Sequence, residues 1–122
     1  MSVEKTLLYV DDEPLNLMLM EVNMKNFYHV ITANSGQDGL EKLKSNQEIT
    51  VVISDMKMPG MNGIEFIQAA RNDFPQIAYF ILTGYDINRD ISDALENGLI
   101  YKYFHKPFNI NEIRKAIEDV IS

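Results

Sequence analysis

The sequence contains no cysteine among its 122 residues. A chain without cysteine has neither a disulfide framework nor a thiolate metal site, and a reducing cytoplasm is then the default expectation. Long apolar runs are absent too, because no window reaches the roughly 18 apolar residues that a membrane span needs. The N-terminus also lacks the basic and apolar segments of a signal peptide. We therefore expect a cytoplasmic chain with no membrane partner.

Basic residues are scarce: 11 Lys and Arg stand against 18 Asp and Glu, which gives a net charge of −7. This balance argues against direct binding of nucleic acid, and an acidic surface most often serves solubility. The length and the 46% hydrophobic content suffice for one core. We expect a single domain over residues 1–122, structured from about 5 to 121, with no effector domain in this chain.

One stretch organises the rest of the sequence. Val51, Val52 and Ile53 are typical of a strand buried on both faces of a parallel sheet. Asp55 follows at the end of this strand, before the turn that contains Pro59 and Gly60. Ligands of open α/β sheets bind at that edge, but Asp is also a common turn residue. The stretch alone leaves both interpretations open.

Strand and helix patterns alternate along the chain. Strands are predicted at 5–10, 29–33, 51–55, 77–82 and 101–104. Helices are predicted from Pro14, over 34–44, 63–72 and 86–97, and from Asn109 to the end. Strands that alternate with helices at short spacing form a parallel sheet covered on both faces, so we predict a doubly wound α/β fold.

The first of these helices has an apolar face at i, i+3, i+4 and i+7, which we expect to be buried. Its members are Leu15, Met18, Leu19 and Val22. Met20 and Met24 lie off this stripe. We interpret the three methionines as core or partly covered surface rather than as a binding groove.

Polar groups follow four of the predicted strands: Asp11 and Asp12, Asp55, Thr83 and Lys106. These ends meet at one edge of the sheet. Three neighbouring carboxylates repel one another and favour a cation, and ligands that are all oxygen favour Mg²⁺. Since a carboxylate can itself be a nucleophile, the set indicates a phosphoryl-acceptor site. Each of these residues also has an alternative interpretation when it is considered alone. The acidic pair would be favourable at a helix N-terminus, Thr83 would be a turn residue, and Lys106 would be an ordinary surface lysine.

At these positions the chain resembles the response-regulator receiver domain of two-component signalling. Val10-Asp11-Asp12-Glu13 resembles the acidic pair of that family, and residues 54–63 resemble its D-x-x-M-P-x-x-x-G loop. Leu82-Thr83-Gly84 and Lys106-Pro107-Phe108 are similar to its Thr/Ser and K-P-F sites. The resemblance implies a single (βα)5 flavodoxin-like domain with strand order 2-1-3-4-5.

The resemblance also implies residue roles. Asp55 would accept a phosphoryl group from a histidine kinase or phosphotransfer protein. Asp11, Asp12, Asp55 and the backbone carbonyl of Lys57 would hold Mg²⁺. Thr83 and Lys106 would contact the phosphoryl oxygens, so that the chain would catalyse only its own phosphorylation and dephosphorylation.

Three further expectations rest on the same resemblance. Tyr103 resembles a switch aromatic that moves with Thr83, and Lys57 and Tyr85 occupy positions that tune the lifetime of the acyl-phosphate. Pro107 would follow a cis peptide bond. The run 98–103 is one residue longer than the commoner family pattern, which leaves the geometry of that loop open.

Output remains open at this stage. An unknown effector and a homodimer through the 86–122 face are expectations. Ile100, Tyr101 and Tyr103 form either a partner surface or simple packing. The main alternative function is an interaction module of the same fold that is never phosphorylated. A flavin carrier would need a phosphate cradle after the first strand, and a haloacid-dehalogenase-type phosphatase would need an Asp where Lys57 stands.

Overall fold

The computed structural model describes residues 5–84 and 87–121. Within them, five β-strands run in chain order from β1 to β5. They are Thr6–Val10, His29–Ala33, Ile49–Asp55, Ala78–Thr83 and Lys102–His105. Five α-helices, α1 to α5, alternate with the strands. They are Pro14–Met24, Gly36–Ser45, Gly63–Asp73, Arg89–Glu96 and Ile110–Ile121.

The strands form one parallel sheet in the order β2-β1-β3-β4-β5. This confirms the predicted doubly wound α/β fold and its strand order. The register aligns the carboxyl ends of the central strands, since Val10 pairs with Ser54 and Asp55 pairs with Leu82. The residues that follow β1, β3, β4 and β5 are therefore brought to a common edge.

Two apolar layers cover the sheet, and alternate residues of each strand enter opposite layers. In β1, Leu8 and Val10 pack on the side of α2, α3 and α4. Leu7 and Tyr9 pack on the side of α1 and α5. Burial on both faces explains why the strands are continuous apolar runs rather than alternating patterns.

The prediction for the buried face of α1 is wrong. Leu15, Met18, Leu19 and Val22 are exposed at 59%, 54%, 40% and 53% of their surface. The buried positions are Met20 and Met24, with Leu17 partly covered beside them. Because α1 is apolar around most of its circumference, helical periodicity fits two stripes equally well. The exposed one is called the α1 stripe below.

The region before β5 also differs from prediction in detail. Helix α4 begins at Arg89, with the Asn88 side chain capping it by accepting from the Ile91 N–H at 2.9 Å. Leu95, next to the buried Ala94, is 40% exposed. The helix ends as predicted before Gly98, whose φ of 76° suits glycine. The longer loop that follows buries Ile100 and leaves Tyr101 exposed.

Candidate functional site

Three carboxylates lie together at the carboxyl edge of the sheet. One oxygen from each of Asp11, Asp12 and Asp55 lies within 4.8 Å of the others. Asp11 and Asp55 are buried and Asp12 is half-buried. The parallel register places them there, because β1 and β3 are neighbours and end at the same level.

Asp11 is held by hydrogen bonds from its own strand and from α1. Its Oδ2 accepts from the Tyr9 hydroxyl at 2.6 Å and from Asn16 Nδ2 at 3.2 Å. Its Oδ1 accepts from the backbone N–H of Glu13 at 3.0 Å. A carboxylate with no exposed surface requires such donors, because burying it unpaired is costly.

Lys106 places the positive charge of the site. Its Nζ lies 2.8 Å from Asp55 Oδ1 and 3.9 Å from Asp11 Oδ2. Its backbone N–H donates to the Thr83 carbonyl at 2.8 Å, which anchors the loop after β5 to the end of β4. The ammonium therefore pairs chiefly with Asp55.

The environment of Asp55 disfavours its ionised form. Burial raises the pKa of its carboxyl above the ordinary value, and the hydrogen bond from Lys106 opposes that rise. The negative charges of Asp11 and Asp12 raise the pKa further. A cation placed among the three carboxylates would remove this repulsion.

The donor set fits a hard divalent cation. All the candidate ligands are carboxylate oxygens, which suit Mg²⁺ better than soft metals. Lys57 follows Asp55 by two residues in the loop, and its side chain is exposed. A ligand role for its backbone carbonyl stays a prediction, as does a role in the lifetime of the acyl-phosphate.

Thr83 ends β4 beside this cluster and is buried. Together with Lys57 and Asn88 it lines an open cleft of about 580 Å³ between the loop after β3 and the start of α4.

Three further predictions concern residues around this cleft and the end of β5. Tyr103 is half-buried in β5 and packs edge-on against the His105 ring, with 5.8 Å between the ring centroids. The predicted cis bond is present between Lys106 and Pro107. Tyr85 lies outside the described residues, and its role in the lifetime of the acyl-phosphate stays a prediction.

Sequence reasoning missed two residues of the site, Tyr9 and Asn16. Tyr9 stands two residues before Asp11, so the two side chains lie on the same face of the sheet. Asn16 lies in the first turn of α1, the helix that directly follows the acidic pair. The alternation of side chains along β1 was the signal that could have found Tyr9.

The raised pKa of Asp55 gives a prediction for stability against pH. Because the folded state holds this proton more tightly than the unfolded state, stability is lost as pH rises from the usual carboxyl pKa, near 4, through the folded value. We expect metal-free Asp55→Asn protein to be more stable than wild type at pH 7, with the gap closing toward pH 4. Urea unfolding in chelator at several pH values measures this.

The matched control is Asp93→Asn, which changes an exposed carboxylate in α4. The difference in unfolding free energy between this variant and wild type should not change in the same way between pH 7 and pH 4. If wild type is as stable as Asp55→Asn at every pH, the prediction that the charge of Asp55 destabilises the metal-free protein is wrong.

Comparison with known proteins identifies the family. The response regulator receiver domain matches residues 7–118. Sporulation initiation phosphotransferase F of Bacillus subtilis is 33% identical over 97% of this chain and 94% of its own length. A receiver domain from Clostridium thermocellum has a solved structure that is 30% identical, with a TM-score of 0.85 over 95% of this chain and 93% of that one. The chain therefore belongs to the response regulator receiver domain family.

Some relatives are much longer. The hydrogenase transcriptional regulatory protein HoxA of Cupriavidus necator is 30% identical over 94% of this chain, which spans only 24% of that protein. Its activity as a whole is therefore no guide to this chain. Across residues 5–84 and 87–121, the structure has no helix long and apolar enough to cross a membrane.

Proposed function

We propose that this receiver domain is a phosphorylation-dependent switch that accepts a phosphoryl group on Asp55 in a Mg²⁺-dependent reaction. The observation that carries the proposal is the Lys106–Asp55 contact of 2.8 Å inside a cluster of three carboxylates. A phosphorylation-independent interaction module has no need of this costly concentration of buried charge. Family membership supports the same function.

The chemistry follows from the charges. An Asp55 oxygen attacks the phosphorus of a phosphohistidine, the phosphorus–nitrogen bond breaks, and its electron pair returns to the imidazole. Lys106 stays beside the new acyl-phosphate and balances its charge. Asp11, Asp12 and Asp55 would hold Mg²⁺, which supplies charge neutralisation to the phosphoryl oxygens. On this proposal the chain catalyses only its own phosphorylation and dephosphorylation. The proposed location of this reaction is the cytoplasm.

The output side of the switch lies toward α4, β5 and α5. A phosphoryl group adds nearly two negative charges, and Thr83 is the hydroxyl at the end of the neighbouring strand. Tyr103 pairs in register with Ile81, two residues before Thr83, so a shift of Thr83 is transmitted along β4 to this ring. The 86–122 face would then contact an effector or a second copy of the chain.

The donor protein is proposed to dock on the α1 stripe. Asn16 of the same helix contacts Asp11, and Leu19 lines a groove of about 590 Å³ with Lys106 and Phe108. The stripe is therefore continuous with the acceptor site. A histidine kinase or phosphotransfer protein that brings phosphohistidine to Asp55 would cover this edge of the molecule and bury the stripe.

Val22→Asp tests this docking surface. Burying a charge in place of an apolar contact should lower phosphotransfer from the donor protein roughly tenfold relative to labelling by acetyl phosphate. The donor is found first by profiling the purified histidine kinases of the source organism. Leu95→Asp, which changes an exposed leucine on α4, is the control and should leave the ratio unchanged. Equal ratios for both variants would rule out docking on α1.

The function itself is tested by incubating the chain with acetyl phosphate and Mg²⁺ and measuring its intact mass. We expect one added phosphoryl group, and none in the presence of chelator. Absence of label under both conditions would favour the interaction module.

A further inference from the structure

Three groups lie close to Asp11 Oδ2, and they differ in charge. Two are neutral donors, the Tyr9 hydroxyl at 2.6 Å and Asn16 Nδ2 at 3.2 Å. The third is the charged Lys106 Nζ at 3.9 Å, which lies beyond hydrogen-bond distance. Lys106 instead contacts Asp55 at 2.8 Å.

We propose that Tyr9 and Asn16 are positioning residues, which satisfy Asp11 with neutral donors and so leave the Lys106 ammonium to Asp55. The expected effect of these residues on phosphoryl transfer rests on the proposed function. Their effect on the position of Lys106 in the metal-free protein is independent of that function.

The physical basis is the cost of an unsatisfied buried carboxylate. Asp11 has no exposed surface, so its oxygens need donors from the protein. Hydrogen bonds to charged groups are among the stronger ones in proteins. With two of them on Oδ2, Asp11 has no need of the ammonium.

The ring and the hydroxyl of Tyr9 have different partners. The ring is buried in the apolar layer on the side of α1 and α5, where Leu7 and Ile53 pack as aliphatic side chains of the neighbouring strand positions. The hydroxyl extends beyond this layer to the sheet edge, where it donates to Asp11 Oδ2 at 2.6 Å.

Removing the hydroxyl should redirect Lys106. Asp11 Oδ2 would lose its shortest hydrogen bond, and the ammonium is already within 3.9 Å of that atom. Moving to Asp11 takes the charge away from Asp55, where the phosphoryl group is to be bound. The acceptor would lose the cation that balances its acyl-phosphate.

The first test is structural and needs no phosphodonor. Crystal structures of metal-free wild type, Tyr9→Phe and Tyr79→Phe are compared. Tyr79 is the matched control, because it is a buried tyrosine of β4 whose hydroxyl donates to the Phe74 carbonyl instead of to the site. We expect Lys106 Nζ to lie nearer to Asp11 than to Asp55 in Tyr9→Phe only. Lys106 still paired with Asp55 in Tyr9→Phe would overturn the proposal.

The second test is kinetic. At saturating Mg²⁺, Tyr9→Phe and Asn16→Ala should each be labelled by acetyl phosphate several-fold to roughly tenfold more slowly than wild type, which is the size of effect expected for the net loss of one typical hydrogen bond. Tyr79→Phe and Asn23→Ala should keep the wild-type rate. Asn23 lies on α1 and donates to the Leu19 carbonyl. Asn16→Ala keeps the test valid should Tyr9→Phe fail to fold.

The two proposals fail differently. A wild-type protein that takes up no label contradicts the proposed function, while the crystal structures still decide the position of Lys106. A labelled wild type with Tyr9→Phe and Asn16→Ala at control rates overturns the positioning role alone.

Discussion

Asp55→Asn protein should take up no phosphoryl group from acetyl phosphate and Mg²⁺, whereas wild type takes up one. The amide has nearly the volume of the carboxylate but is a far weaker nucleophile. Asp55 is the carboxylate that Lys106 contacts at 2.8 Å, and it is also the one whose pKa is raised by burial and by its acidic neighbours. Intact-mass spectrometry measures the label directly.

The control for this experiment is Asp93→Asn, whose carboxylate is exposed on α4. It should be labelled at the wild-type rate. Equal labelling of Asp55→Asn and wild type would assign the acceptor to another residue, and Asp12, as the half-buried member of the cluster, would be the next to replace.

The convergence of the site residues was predictable from sequence because it depends on topology. Once the strands are parallel, the residues that follow them must meet at one edge. Asp11, Asp55 and Lys106 needed only approximate strand ends. β1 and β3 end where they were predicted to end, and β4 and β5 end one residue later than predicted, at Thr83 and His105. The structure thus brings together residues that the pattern of strand ends had already grouped.

The orientation of α1 was not predictable in the same way. Periodicity selects a face only when the opposite face is polar, and α1 offers Leu17, Met20 and Met24 as well as the exposed stripe. The choice between the two depends on how the helix packs beside α5 and β1. That information lies in tertiary contacts and not in the helix itself.

The hydrogen bonds of Asp11 mark a second limit. The sequence showed an acidic pair but not which neighbours would satisfy it. Tyr9 follows from strand alternation, whereas Asn16 depends on the angle at which α1 leaves β1. Residue types at strand ends therefore predict which groups meet, and the surrounding donors emerge only from the packed structure.

Gly63→Ala should be strongly destabilising. Gly63 is the first residue of α3, and its N–H donates to the Met56 carbonyl at 2.9 Å. A Cβ at this position would fall well inside 3.0 Å of the backbone oxygen of Asp55 and 2.9 Å from Ile81 Cδ1. A backbone oxygen cannot rotate away as a flexible side chain can, so α3 or the loop after β3 must shift.

Overpacking of this kind costs about 1–3 kcal/mol, and we expect a loss of unfolding free energy toward the upper end of that range. Urea denaturation of metal-free protein measures it. Gly84→Ala is the matched control, because its Cβ would meet Lys106 Cδ at 3.6 Å, an ordinary contact. The loop after β3 begins directly after Asp55, so Gly63→Ala should also slow labelling by acetyl phosphate. If Gly63→Ala has the same unfolding midpoint as Gly84→Ala, then α3 does not fix the position of the loop after β3.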